Sequence, residues 1–194
     1  MLNIKKLLLI FILTFSFQTL VKANDIRDFQ IEGMSLYDSA LNYFSKSKIK
    51  DSEEDYYKDK KYTTTTITSS KFEVYQQVQI TYKSNDNNFV LIDINGIIDK
   101  NYQDCLNEIE IISKDFDKMF PNTKKSDLYT FSHWQDKSGD SKVSDMLWTF
   151  SNGDLIVLAC YNWNSAFGKK NRYVDELRIS IGSKEFDDYL TGLN

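Results

Sequence analysis

Proline is almost missing from this chain: its 194 residues hold one, beside seven glycines, two cysteines and one histidine. So little Pro and Gly excludes collagen-like and linker-rich architectures. The two cysteines, Cys105 and Cys160, lie far apart and lack the close pairing of zinc ligands, so no metal site is expected. The lone histidine, His133, has no Gly-x-Ser-x-Gly elbow or His-Glu-x-x-His motif to work with, which leaves no catalytic set in view and no cofactor implied. Basic excess is missing too. The net charge is −4, and the first 23 residues carry three lysines and no acid, so the remainder is more acidic still. Such a surface is a poor match for polyphosphate, and no nucleic-acid partner is expected.

What is present begins with a leader. Lys5 and Lys6 precede an apolar run from Leu7 to Phe17, and Val21-Lys22-Ala23 places small residues where a peptidase would cut. This is the layout of a bacterial signal peptide over 1–23, cleaved after Ala23. The apolar run falls short of the ~20 residues that span a bilayer, and an uncleaved N-terminal anchor is the competing reading. The mature chain, 24–194, is then a single domain without stable membrane insertion, periplasmic or secreted. Hydrophobic residues at 41% and aromatics at 14% are ample for a packed core.

Periodicity predicts an α+β fold. Ser35–Ser45, with Leu36, Ala40, Leu41 and Phe44 at helical spacing and Asp38 three residues after Ser35, predicts an amphipathic helix. Residues 46–61 are charged and suit a second short helix or an exposed loop. Thr63–Thr66 suits a solvated edge strand, and Phe72–Tyr82 alternates as a half-buried one. A turn over Ser84–Asn88 leads to an apolar strand, Phe89–Ile94. Asn101 caps a helix with Cys105, Ile109, Ile112 and Phe116 on its stripe, ending before Pro121. Strands follow at Leu128–Trp134, Val143–Phe150, Leu155–Tyr161 and Leu177–Ile181, with Asn152-Gly153 as a hairpin turn and a last helical turn over Ser183–Leu190. Leu155–Tyr161 is apolar on both faces and belongs in the centre of a sheet. The expectation is an antiparallel sheet with two main helices on one face. Two degenerate helix-then-meander halves, 33–98 and 101–181, and one undivided sheet fit equally well.

Ile31-Glu32-Gly33-Met34-Ser35, running into that first amphipathic stretch, resembles the opening of SmpA/OmlA-type outer-membrane assembly lipoproteins. The resemblance implies a β-lactamase-inhibitor-like module, a tandem of helix-plus-meander units. No lipidated Cys follows the leader, so an assembly role does not carry over. The whole chain also resembles small, lysine- and asparagine-rich exported bacterial proteins of unknown function, which implies a compartment and no activity.

Candidate site residues are few. Asp93 interrupts the apolar Phe89–Ile94 run, which suits a polar pocket or a strand end facing water. Tyr161, Asn162 and Trp163 end the central strand and suit a ligand platform or the rim of the core; Tyr56 and Tyr57 carry the same two readings. The acidic stretches 51–55 and 136–145 lack calcium-loop spacing. Cys105 and Cys160 both sit on buried stripes and are expected to form a disulfide. The function expected is a non-catalytic exported module that binds an envelope or extracellular protein. The alternatives are a small-molecule or glycan binder using Tyr161 and Trp163, and a secreted hydrolase with carboxylate chemistry around Asp93.

Overall fold

The structure, a computed structural model, describes residues 25–192. The expected leader and its cleavage point lie outside the described residues. Nine strands form one antiparallel sheet: β1 (Glu53–Glu54), β2 (Tyr62–Ile67), β3 (Gln77–Lys83), β4 (Asp93–Asp99), β5 (Lys124–Lys125), β6 (Tyr129–Ser132), β7 (Lys142–Thr149), β8 (Leu155–Asn162) and β9 (Glu176–Gly182). Their spatial order is β1-β2-β3-β4-β9-β8-β7-β5, and β6 also pairs with β7. Four helices accompany them: α1 (Lys46–Asp51), α2 (Tyr102–Met119), α3 (Ser165–Asn171) and α4 (Lys184–Thr191). The fold is α+β. The meander β2-β3-β4 meets β7-β8-β9 along the antiparallel β4–β9 pair. Among the described residues, no helix is long and apolar enough to cross a membrane.

Helix α2 forms where its stripe predicts. Asn101 Oδ1 accepts from the backbone N–H of Asp104 at 3.0 Å, closing the first turn. The helix ends at Phe120, before Pro121, whose missing N–H and fixed φ discourage continuation. Cys105, Ile109, Ile112 and Phe116 are buried against β8 and β9. On those strands alternate residues face the helix: Ile156, Leu158 and Cys160, then Leu177, Ile179 and Ile181. Cys105 and Cys160 form a disulfide there, with Cα atoms 5.8 Å apart. The Asn152-Gly153 turn joins β7 to β8, with Gly153 at φ +90°. That conformation costs an L side chain and suits glycine. Strand β8 lies between β7 and β9, in the interior of the sheet, as its apolar faces predict.

The first helix does not form over Ser35–Ser45, where only one 3-10 turn, Ala40–Asn42, appears. Tyr37 adopts φ +72°, and the backbone leading into that turn bonds outward: Tyr37 N–H to Leu91 O at 2.7 Å, Leu91 N–H to Asp38 O at 2.8 Å, and Ala40 N–H to Phe89 O at 2.9 Å. The Ser35–Asp38 contact exists, with Ser35 N–H donating to Asp38 Oδ2, but it closes a tight turn. Helical spacing therefore marked buried positions, Leu36 and Ala40 among them, on a chain paired to 89–91. A short helix appears instead at α1, capped by Ser45. The Gly33-Met34-Ser35 triplet likewise opens no helix. Glu32 and Gly33 sit at φ +50° and +78° between Ile31 and Met34, which exchange both backbone hydrogen bonds, as in a two-residue hairpin turn of the primed kind.

The same Glu32 holds the segment before β3. Its carboxylate accepts from the backbone N–H groups of Glu73, Val74 and Tyr75 at 2.9–3.1 Å. These donors are thereby withdrawn from any ladder, so β3 starts at Gln77 and not at Phe72. Glu32→Ala leaves three donors without their acceptor, and a loss of about 1–3 kcal/mol in urea unfolding is expected. Glu32→Gln, which keeps one acceptor, is expected to lose less.

Two further strands differ from expectation. The threonine tract of β2 is not solvated: Thr64 and Thr65 are buried, because β1 extends the sheet and α1 lies beside it. Thr64 and Thr81 hydroxyls bond at 2.9 Å, and Thr65 donates to Ile49 O at 3.2 Å. The strand expected at Phe89–Ile94 is displaced to Asp93–Asp99, with Phe89 at φ +50°. Gly96 in β4 permits this packing. A Cβ there would meet the Tyr75 ring at 2.3 Å.

A candidate ligand trough on the open face of the sheet

Residues that alternate with the helix-facing set line the opposite face. The floor of this face is built from small or short side chains in the middle strands: Gly182 and Ser180 of β9, Ala159 and Val157 of β8. Larger groups stand around it, so the face is a trough of about 490 Å³, within the range of small-molecule sites. One end is walled by α3 and the chain following it, and the other by Phe186 and Leu190 of α4. Gly182 admits Asp93 closely, since a Cβ there would lie 3.3 Å from Asp93 Oδ1.

Arg178 of β9 rises from this floor. Its Nε and Nη2 both donate to Glu176 Oε1, at 3.0 and 2.5 Å. Its guanidinium carbon lies 4.6 Å from the centroid of the Tyr161 ring, a cation–π contact. The Arg178 side chain is only 21% exposed and that of Glu176 only 8%. A charge pair this dry is stable only with its mutual hydrogen bonds intact. Among the described residues, Glu176 receives all of Arg178's hydrogen bonds, and a guanidinium has five N–H donors. Three of them therefore have no protein acceptor.

Aromatic rings form the wall beside Arg178. The Trp163 ring centroid lies 4.5 Å from that of His133, 4.5 Å from Tyr173 and 5.7 Å from Tyr161. Trp163 is fixed by its backbone N–H, which donates to Asp175 Oδ1 at 2.8 Å, and the next residue, Asn164, caps α3. Gly168 lets the wall close, because a Cβ there would stand 2.9 Å from Tyr173 O. The indole N–H of Trp163 is buried without a partner among the described residues. His133 Nδ1 accepts from Gln135 N–H at 3.4 Å. Burial, with the Arg178 charge adding to it, pushes the imidazole down to about 4, so it is neutral at pH 7.

Two carboxylates complete the trough. Asp93 accepts from Asn95 Nδ2 at 2.5 Å and weakly from Thr81 at 3.5 Å, and burial pushes it up to about 6. Asp145 of β7 has no hydrogen bond or ion pair among the described residues, and burial alone pushes it to about 6. A carboxylate raised in the folded state binds protons that the unfolded chain releases, so stability falls as pH rises from about 4 to about 6. Asp145→Asn removes that dependence. The variant is expected to melt above the wild type at pH 7.5, with the difference vanishing by pH 4, as read by thermal melts across that range.

Asp93, Tyr161 and Trp163 thus come together in one cavity, joined by Tyr56, Tyr57 and His133. Asp93 opens β4 on the trough side and does not interrupt the apolar face. Asn162 is not among the lining residues; strand alternation turns it away from its neighbours, opposite Lys142. Asp136, in the acidic stretch before β7, spends both oxygens on Ser138 and Ser141, which hold it down at about 2. Among the described residues, no group of three His, Cys, Asp or Glu side chains is placed to hold a metal. Sequence reading missed Arg178, Glu176 and Asp145. Comparison with family models, with curated proteins and with solved structures gives no match.

Proposed function

We propose that this chain is an exported, non-catalytic binding protein that captures a small polar ligand in the trough of its sheet. The observation that carries this reading is Arg178: a guanidinium held by Glu176 and stacked on Tyr161, with three donors directed to no protein acceptor. The spare Arg178 N–H groups open onto the trough and the Trp163 indole N–H is buried without a partner among the described residues, so a ligand that supplies acceptors finds donors already in place. The aromatic wall gives such a ligand apolar area. Export is supported by the composition of the leader, and the disulfide suits an oxidising compartment. The convergence of these groups in a cavity favours a small ligand over the envelope-protein partner. A non-catalytic role is supported by the surroundings of His133, which packs on rings and accepts from a backbone N–H.

A thermal-shift panel tests this reading, with free amino acids, dipeptides, mono- and disaccharides and polyamines each at millimolar concentration. At least one class is expected to raise the melting temperature by mass action. The double variant Arg178→Met/Glu176→Gln, which removes both charges together, is expected to abolish that shift. A panel without any shift, or a shift that survives the double variant, contradicts the reading.

A further inference from the structure

Arg178 and Asp145 stand in one cross-strand row. Arg178 of β9 is opposite Ala159 of β8, and Ala159 is opposite Asp145 of β7. Two strand spacings put their Cα atoms about 10 Å apart. Both side chains line the trough, yet no ion pair joins them. The residue between them, Ala159, carries only a methyl group. A cation with spare donors and an anion without a partner therefore flank a slot on the trough side of Ala159, whose methyl group is itself buried. The slot calls for a ligand carrying both charges, a carboxylate for the guanidinium and an ammonium for Asp145. Beside it on the same face are Val143 and Tyr161, opposite one another in the β7–β8 register, and the Trp163 ring stacks on Tyr161. This surface accepts an apolar group attached to the charged pair.

Building on the small-ligand reading above, we propose that the trough takes a free α-amino acid with a large apolar side chain. Its carboxylate sits on Arg178, its ammonium on Asp145, and its side chain on the Tyr161–Trp163 wall. Glu176 already offsets Arg178, so Asp145 and Asp93 leave the trough net acidic without ligand, and an ammonium on Asp145 lowers that excess. A neutral sugar meets neither charge. A dicarboxylate meets Arg178 and is repelled by Asp145 and Asp93.

Isothermal titration of the folded, disulfide-bonded protein tests the proposal. The probes are L-phenylalanine, L-leucine, N-acetyl-L-phenylalanine, L-phenylalaninamide and glucose. The free amino acids are expected to bind, and blocking either terminus to weaken binding about ten- to hundredfold, as losing a charged hydrogen-bonded contact does. Asp145→Asn is expected to weaken L-phenylalanine by a similar factor and to leave N-acetyl-L-phenylalanine unchanged. Thermal melts confirm that this variant is folded. Equal binding of blocked and free amino acids overturns the proposal, as does an Asp145→Asn variant with unaltered affinity. If glucose binds and the amino acids do not, the proposal fails while the small-ligand reading stands. If no probe here or in the wider panel binds, both fail.

Discussion

Removing the disulfide, by Cys105→Ala with Cys160→Ala, is expected to cost roughly 4 kcal/mol of unfolding free energy. The bond joins residues 55 apart, tying the first turn of α2 to the interior strand β8. A loop of that length takes away much of the freedom of the unfolded chain, and in the chain-entropy model the gain rises with the logarithm of the loop. The sulfurs also lie at the contact between helix and sheet, where Cys105, Leu177 and Cys160 are fully buried. Alanine fills less of that space, which adds a packing loss. Since small domains have only about 5–15 kcal/mol in total, the variant should unfold at markedly lower urea, with a slope somewhat steeper because the uncrosslinked unfolded chain exposes more surface. Reductant on the wild type should reproduce the effect. A midpoint that moves by less than a tenth would mean that the helix–sheet interface carries α2 without the bond.

The second large effect concerns Arg178. Arg178→Met alone leaves Glu176 ionised, 8% exposed and without its counter-charge. Breaking a buried pair from one side typically costs about 3–5 kcal/mol, because the remaining charge stays desolvated. Arg178→Met/Glu176→Gln removes both charges and is expected to return most of that loss, since neutral replacements of a buried pair are often tolerated. The contrast separates a stabilising role from a binding one. The double variant should be nearly as stable as the wild type and should still fail to bind. If the single and double variants are equally unstable, the guanidinium serves packing over Tyr161 more than charge pairing.

In the second half of the fold the main helix and the long strands were legible because each signal there was redundant, whereas β5 and α3, short elements without a stripe, were not foreseen. Helix α2 had a cap at Asn101, an apolar stripe and a stop at Pro121, and the β7–β8 turn had Asn152-Gly153 between apolar runs. The first half was decided by tertiary contacts that local periodicity does not encode. Leu36 and Ala40 had helical spacing, but their backbone pairs with 89–91, and the carboxylate of Glu32 captures the 73–75 amides. The site was legible in the same uneven way. Tyr161 and Trp163 were visible as an aromatic surplus at a strand end. Arg178 and Ser180 were visible only as the residues alternating with Leu177, Ile179 and Ile181 in β9. The missed signal was β8: Leu155, Val157, Ala159 and Tyr161 share a face with Arg178, and an apolar strand beside a charged one implies a covered, concave surface. Asp145 was visible only as the end of the acidic stretch 136–145, and nothing there set it apart from Asp136, which the structure turns to Ser138 and Ser141.

The trough as a ligand site is tested most directly by the Arg178 Nε–H resonance in ¹⁵N-labelled protein, followed while L-phenylalanine is added. The account predicts that this resonance moves and saturates together with the Trp163 indole N–H, and that the indole resonance stays still in Arg178→Met/Glu176→Gln. Saturable shifts confined to the exposed edge of β6, at Tyr129 outside the trough, with Arg178 Nε–H unmoved, would contradict it.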